Sequence, residues 1–111
     1  KGEKLNFNFV MGVGGGIPVN PKSLIFLMES LPPHSHWSVM GIGRHEYPMI
    51  TLGMILGAGG ARVGLEDNIY LSKGILAKGN ADLVEKAVRL ANDIGREIAS
   101  AYEAREILSL P

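Results

Sequence analysis

The sequence predicts an α/β fold with parallel strands, and three observations carry that prediction. Stretches with a two-residue apolar period alternate along the chain with stretches of helical period, as expected of strands joined by helical crossovers. Glycine clusters, Gly12 to Gly16 and Gly41 to Gly43, follow the first two expected strands. Charge gathers at the C-terminal end of the third, where Glu66 and Asp67 follow Arg62. That end of the sheet is where α/β proteins keep their active sites.

Each element has its own warrant. Leu5, Phe7, Phe9 and Met11 fall on one side of an alternating run, with Asn6, Asn8 and Val10 on the other. This is a strand whose asparagine face looks at solvent or at a polar interior. Asn20-Pro21 then supplies an N-cap residue and a proline at the first helical position. The helix expected from Pro21 runs to Leu31 and stops at Pro32-Pro33, because proline cannot continue the hydrogen-bond ladder. Trp37 to Ile42 reads as the second strand, ending in Gly43-Arg44-His45.

Glu46 to Leu56 is apolar nearly all round, and its length suits a buried helix with Pro48 in the first turn. Gly57, Gly59 and Gly60 end it, Ala61 to Leu65 is the third strand, and Ile69 to Gly79 is expected as a loop carrying Lys73 and Lys78. Asn80 is expected to cap a helix with Leu83, Val84, Ala87, Leu90, Ala91, Ile94 and Ile98 on one face. Ser100 with Glu103 makes a capping box for a last short helix through Leu108. The order is β-α-β-α-β-α-α, a thin sheet with poorly covered outer strands.

The 111 residues, 46% of them hydrophobic, suffice for one small domain with a core. Eleven basic residues balance eleven acidic ones, so nothing argues for a nucleic-acid partner. Cysteine is absent, which excludes disulfides and thiolate metal sites. No apolar run reaches the roughly 18 residues that would span a bilayer, and the N-terminus lacks the layout of a signal peptide. A cytoplasmic chain without a membrane partner is therefore expected, and its start without methionine reads as a piece of something longer.

Glu66 and Asp67 can serve one site only if the chain turns there, since a continuing strand would send them to opposite faces. The plainer reading is a surface loop with an acidic dipeptide and a salt-bridged arginine. Gly12-x-Gly14 opens like a dinucleotide fingerprint, but Ile17 stands in the sixth position and prolines interrupt. The glycines otherwise permit a tight turn, or offer backbone N–H groups to an anion together with Gly41 to Arg44. His34-Ser35-His36 has metal-pair spacing but precedes the second strand, at the end of the sheet opposite Glu66, and reads as a solvated turn. His45 is on the same side as Glu66, Met49 and Met54 suit core packing, and Lys73 or Lys78 could reach a phosphate.

Together these residues carry a resemblance. Gly59 to Asn68 (Gly-Gly-Ala-Arg-Val-Gly-Leu-Glu-Asp-Asn), Trp37 to Arg44 and Met11 to Pro18 are similar to the β-keto acid cleavage enzyme family over nearly the whole chain. The resemblance implies a zinc-dependent (β/α)8 TIM barrel that exchanges acyl groups. A β-keto acid and acetyl-CoA become acetoacetate and a new CoA thioester. It implies that the chain is a C-terminal segment of about three βα units, strands six to eight, with the N-terminal part of the barrel absent, since such a barrel needs about 250 residues.

By the same resemblance, Glu66 matches the carboxylate zinc ligand and, with Asn68, a substrate contact. Asp67 matches the acid/base residue, and Arg62 the arginine that works with it. Gly14, Gly15, Gly16, Gly43 and Arg44 are expected to face the CoA. The family's two zinc histidines lie on an early strand, to which His34 and His36 do not correspond. A catalytic zinc usually takes three protein ligands, so this stretch alone is expected to hold no zinc and to turn nothing over. A homo-oligomer such as a tetramer, or association with the N-terminal part, is expected. Two other classes stay open: a phosphate-binding barrel enzyme of aldolase type, and a non-catalytic assembly module pairing through open sheet edges.

Overall fold

The structure, a computed structural model, describes residues 5–12 and 19–108. Three parallel strands, β1 (Leu5–Met11), β2 (Ser35–Gly41) and β3 (Gly60–Ala61), form a sheet in that order. β1 and β2 pair along their whole length, Leu5 opposite Ser35 through Met11 opposite Gly41. The connections are helical: α1 (Pro21–Glu29) joins the first two strands, and α2 (Glu46–Ile55) the second and third. The expected α/β order with parallel pairing is what forms.

Local chemistry explains these elements. In β1 Phe9 and Met11 are buried while Asn6 and Asn8 stay exposed, and Ser38 of β2 donates to Asn8 Oδ1 at 2.9 Å. Asn20 caps α1 by accepting the Ser23 N–H at 2.7 Å, with Pro21 opening the helix. That helix stops at Glu29 with Ser30 as its C-cap, two residues before the expected end, as the Ser30 N–H closes the last turn onto Phe26 and Leu27. The core lies between the sheet, α1 and α2: Met11, Leu24, Val39 and Ile50 are fully buried, and the rings of Phe9 and Trp37 meet at 5.5 Å. α2 approaches β2 so closely that a Cβ on Gly53 would run into Val39 Cγ1.

The third strand is shorter than expected. Only Ser38–Gly60 and Val39–Ala61 pair, and the expected Val63 to Leu65 leave the sheet, because the Gly64 N–H goes to a side-chain carboxylate instead of to β2. The expected loop Ile69 to Gly79 carries a hairpin, β4 (Tyr70–Ser72) against β5 (Ile75–Leu76), turning at Lys73-Gly74.

α3 (Asn80–Asp93) follows. Asn80 does not cap it: Gly79 holds the cap position, Asp82 reaches back to the Lys78 N–H at 2.8 Å, and the Asn80 side chain is used elsewhere. Leu83 and Ala91 are its buried residues, whereas Val84 is exposed and Ile94 and Ile98 lie past its end, which closes at Gly95. α4 (Ala101–Leu108) has the expected capping box, with Glu103 N–H to Ser100 Oγ at 3.1 Å and Ser100 N–H to Glu103 Oε1 at 2.8 Å. No helix among the described residues is long and apolar enough to cross a membrane. Gly14, Gly15 and Gly16 lie outside the described residues.

Candidate active site

Beyond β3 the backbone N–H of Arg62 still donates to Val39 O at 3.0 Å, but two residues later the chain turns. Gly64 O accepts the N–H groups of Asp67 and Asn68 at 3.0 and 3.1 Å. The condition for one site is met, and the turn gives the two adjacent carboxylates opposite surroundings: the Glu66 side chain is 80% exposed and that of Asp67 4%. Arg62 serves both. Its Nη2 donates to Glu66 Oε1 at 2.7 Å and reaches Asp67 Oδ1 at 3.5 Å, while its Nε lies 3.4 Å from Asp67 Oδ2. Asp67 Oδ2 is buried and has no hydrogen-bond partner among the described residues. A buried oxygen in that state is suited to accept a proton or a ligand.

Four ties hold the turn. The Gly43 N–H donates to Asp67 O at 2.8 Å, and the Leu65 N–H to Asn80 Oδ1 at 2.8 Å, which is the work Asn80 does in place of capping. The Gly64 N–H donates to Glu46 Oε2 at 3.4 Å, and Asn68 Nδ2 donates to Glu46 Oε1 at 3.3 Å. Asn68 also brackets Tyr70, donating to its carbonyl at 2.7 Å and accepting its N–H at 3.1 Å, so its amide is engaged by protein on both sides. Gly41 lets the base of α2 come this close: a Cβ there would run into the His45 carbonyl oxygen.

Glu46 is fully buried. Burial pushes its carboxyl above the ordinary carboxylate range, against the opposing pull of the bonds from Asn68 and Gly64. Beside it, burial and then the Glu46 charge push Tyr47 up to about 12, and its hydroxyl donates to Leu83 O at 3.4 Å. Tyr47 is thus an anchor between α2 and α3 and no proton carrier near neutral pH.

Arg62, Glu66 and Asp67 are brought together as expected, and Glu66, Asp67, Asn68, Gly43 and Arg44 line one cleft of about 1150 Å³. Lys73 lines it from the hairpin, and Lys86 lines it with its ammonium donating to Leu71 O and standing 4.1 Å over the Tyr47 ring. His45 packs beside Gly12 at the end of β1. His34 is exposed in a left-handed turn, but Ser35 and His36, expected in a solvated turn, are the first two residues of β2 and half-buried, with the His36 ring against Gly59 at the far end of the sheet. Among the described residues no three His, Asp or Glu side chains are grouped to hold a metal ion.

Glu46 is the site residue that sequence reasoning missed, taken there as the opening of a helix. The available signal was a lone acidic residue directly after Gly-Arg-His, at the head of a segment apolar nearly all round.

The same segments are similar to known proteins. A family model described as beta-keto acid cleavage enzyme matches residues 1–110. The 3-keto-5-aminohexanoate cleavage enzyme of Acetoanaerobium sticklandii is 51% identical over 106 residues, which are 96% of this chain and 38% of that protein. The 3-oxoadipate:acetyl-CoA acetyltransferase of Cupriavidus necator is 39% identical over 110 residues, again 96% of the chain and 38% of the relative. The 3-dehydrocarnitine:acetyl-CoA trimethylamine transferase of Rhizobium meliloti is 38% identical over 102 residues, 90% of the chain and 33% of the relative. The chain thus spans well under half the length of these curated relatives, yet the match runs almost from end to end of its own residues, through the turn that carries Arg62, Glu66 and Asp67, and on that ground it belongs to the beta-keto acid cleavage enzyme family.

Proposed function

We propose that the full-length protein containing this chain exchanges acyl groups between a β-keto acid and acetyl-CoA, and that these residues form the sixth to eighth βα units of its TIM barrel. The observation that carries the reading is the turn after β3, where one arginine holds an exposed and a buried carboxylate and the buried one keeps an oxygen, Asp67 Oδ2, without a hydrogen-bond partner among the described residues. The donor chemistry of Glu66 fits one position of a catalytic zinc site, and the other protein ligands come from elsewhere in the full-length protein. When bound, the zinc would supply Lewis-acid polarisation of the keto and carboxylate oxygens of the substrate.

Asp67 accepts through Oδ2 the proton from the carbon between those two groups, with Arg62 holding the carboxylate in place. The carbanion so formed attacks the acetyl thioester carbon and CoA leaves as its thiolate. The thiolate adds to the original keto carbon, the carbon–carbon bond breaks, and Asp67 returns its proton to the departing acetoacetate. Asn68 fixes the loop against Glu46 and borders the substrate, while Gly43 and Arg44 face the CoA. The protein works as a cytoplasmic homo-oligomer.

The reading is tested by supplying the full-length protein with zinc, acetyl-CoA and the β-keto acids for which its relatives are named. Acetoacetate and one new CoA thioester are expected in equal amounts. Acetoacetate absent across that panel would overturn it.

A further inference from the structure

The cleft that holds the carboxylates is lined by further residues that the acid/base chemistry leaves unused. Arg44, Lys73 and Lys86 line it together with Glu66 and Asp67, its only carboxylates among the described residues. Both are already held by Arg62. Arg44 and Lys73 are exposed and enter no ion pair among the described residues, and the Lys86 ammonium is fixed in place by Leu71 O and the Tyr47 ring. Three cations therefore line the cleft beside two carboxylates whose charge Arg62 already offsets, so positive charge is in excess there among the described residues. Leu65, Ile69 and Tyr70 line the same cleft, each with apolar surface exposed.

A small β-keto acid does not account for this surface. It carries one or two carboxylates and no phosphate, and the roughly 300 to 1,000 Å³ of an ordinary ligand pocket would hold it with room to spare, whereas the cleft measures about 1150 Å³. An acyl-CoA matches both kinds of lining: three phosphate groups for the cations and a long, mostly uncharged pantetheine arm for the apolar side chains. We propose that the β4–β5 hairpin and the turn before α2 form the phosphate subsite of the acyl-CoA, in which Lys73 and Arg44 pair the phosphates and the Leu65–Tyr70 surface guides the arm toward Asp67. This deepens the reaction proposed above and rests on it for the identity of the ligand. The phosphates fix the orientation of a flexible co-substrate, so its thioester reaches the carboxylate end from one direction only.

The experiment is equilibrium binding by titration calorimetry on the full-length protein, with CoA and with S-acetylpantetheine, which lacks phosphate. The double variant Arg44→Ala/Lys73→Ala is expected to bind CoA about tenfold or more weakly, as the loss of charge-assisted hydrogen bonds implies. S-Acetylpantetheine should lose less than twofold. Raising the salt concentration should weaken CoA binding to the parent more than to the variant. Lys22→Ala, an exposed lysine of α1 that does not line the cleft, controls for general charge and should match the parent. Unchanged CoA affinity in the double variant, or an equal loss for both ligands, overturns the subsite. A protein that binds CoA in this way and makes no acetoacetate retains the subsite and loses the reaction, whereas turnover with unchanged CoA affinity in the variant does the reverse.

Discussion

Glu46 and Asn68, 22 residues apart, meet through a buried hydrogen bond of 3.3 Å from the Asn68 side-chain amide to Glu46 Oε1. The other carboxyl oxygen takes the Gly64 N–H, so a single side chain at the head of α2 grips both ends of the turn that presents Glu66 and Asp67. Glu46→Ala would leave two donors without a partner and open a void, and should cost roughly 2 to 4 kcal/mol. Denaturant melts of the full-length protein check this. A variant as stable as the parent would remove Glu46 from the framework of the loop.

The raised carboxyl of Glu46 also sets a sign for pH. Its folded-state value lies above the ordinary 4.5, so between the two values the folded protein holds a proton that the unfolded chain has lost. The contribution of this group is therefore greatest below about pH 4.5 and declines as pH rises through the folded-state value. Glu46→Gln cannot titrate, and the difference in stability between parent and variant should drift in favour of Gln as pH rises over that window. A difference that does not vary with pH would contradict it.

Asp67→Asn keeps the size of the side chain and removes its basicity. Turnover by the full-length protein should fall by ~10²- to 10⁴-fold, the usual contribution of general acid–base catalysis, while zinc content stays at the parent level. Arg62→Lys should also be slow, because one ammonium cannot reproduce contacts made from both Nε and Nη2. Steady-state rates alongside metal analysis test both, and near-normal rates in Asp67→Asn would take that residue out of the chemistry.

Arg96 stabilises the fold at a distance from the cleft. Its Nη1 and Nη2 donate to Met54 O and Ala58 O at 2.7 and 2.9 Å, closing the C-terminal end of α2. Arg96→Ala should lower stability by about 2 kcal/mol, a loss of charge-assisted bonds to backbone, with the slope of the denaturation curve unchanged. Loss of CoA or metal binding without loss of stability would refute the assignment.

Gly53→Ala weighs two effects. Alanine favours a helix by about 1 kcal/mol, but its Cβ would run into Val39 Cγ1, a buried β-branched side chain. Overpacking of this kind costs about 1 to 3 kcal/mol, so the variant should melt below the parent. A higher melting temperature would show that α2 can lift away from the sheet.

What was legible in the residues follows from range. The alternation of Leu5 to Met11, the Asn20-Pro21 start of α1 and the Ser100–Glu103 box depend on neighbours within four positions, and each formed as read. The requirement that the chain turn at Glu66-Asp67 was local too. Contacts across 15 to 22 residues were not legible. Asn80 satisfies the cap preference in sequence but spends its oxygen on Leu65, and Gly64 has a strand's neighbours but gives its N–H to Glu46. The hairpin escaped because its strands are two and three residues long, too short for a period to register.

The turn between Gly64 and Asn68 is a surface loop whose length is not free to drift. Moving the register by one residue would exchange which acid is solvated and which is sheltered, and with that the roles proposed for Glu66 and Asp67. Tolerance for inserted residues should instead be found at the Lys73-Gly74 tip of the hairpin, where extra chain can bulge outward without altering that assignment.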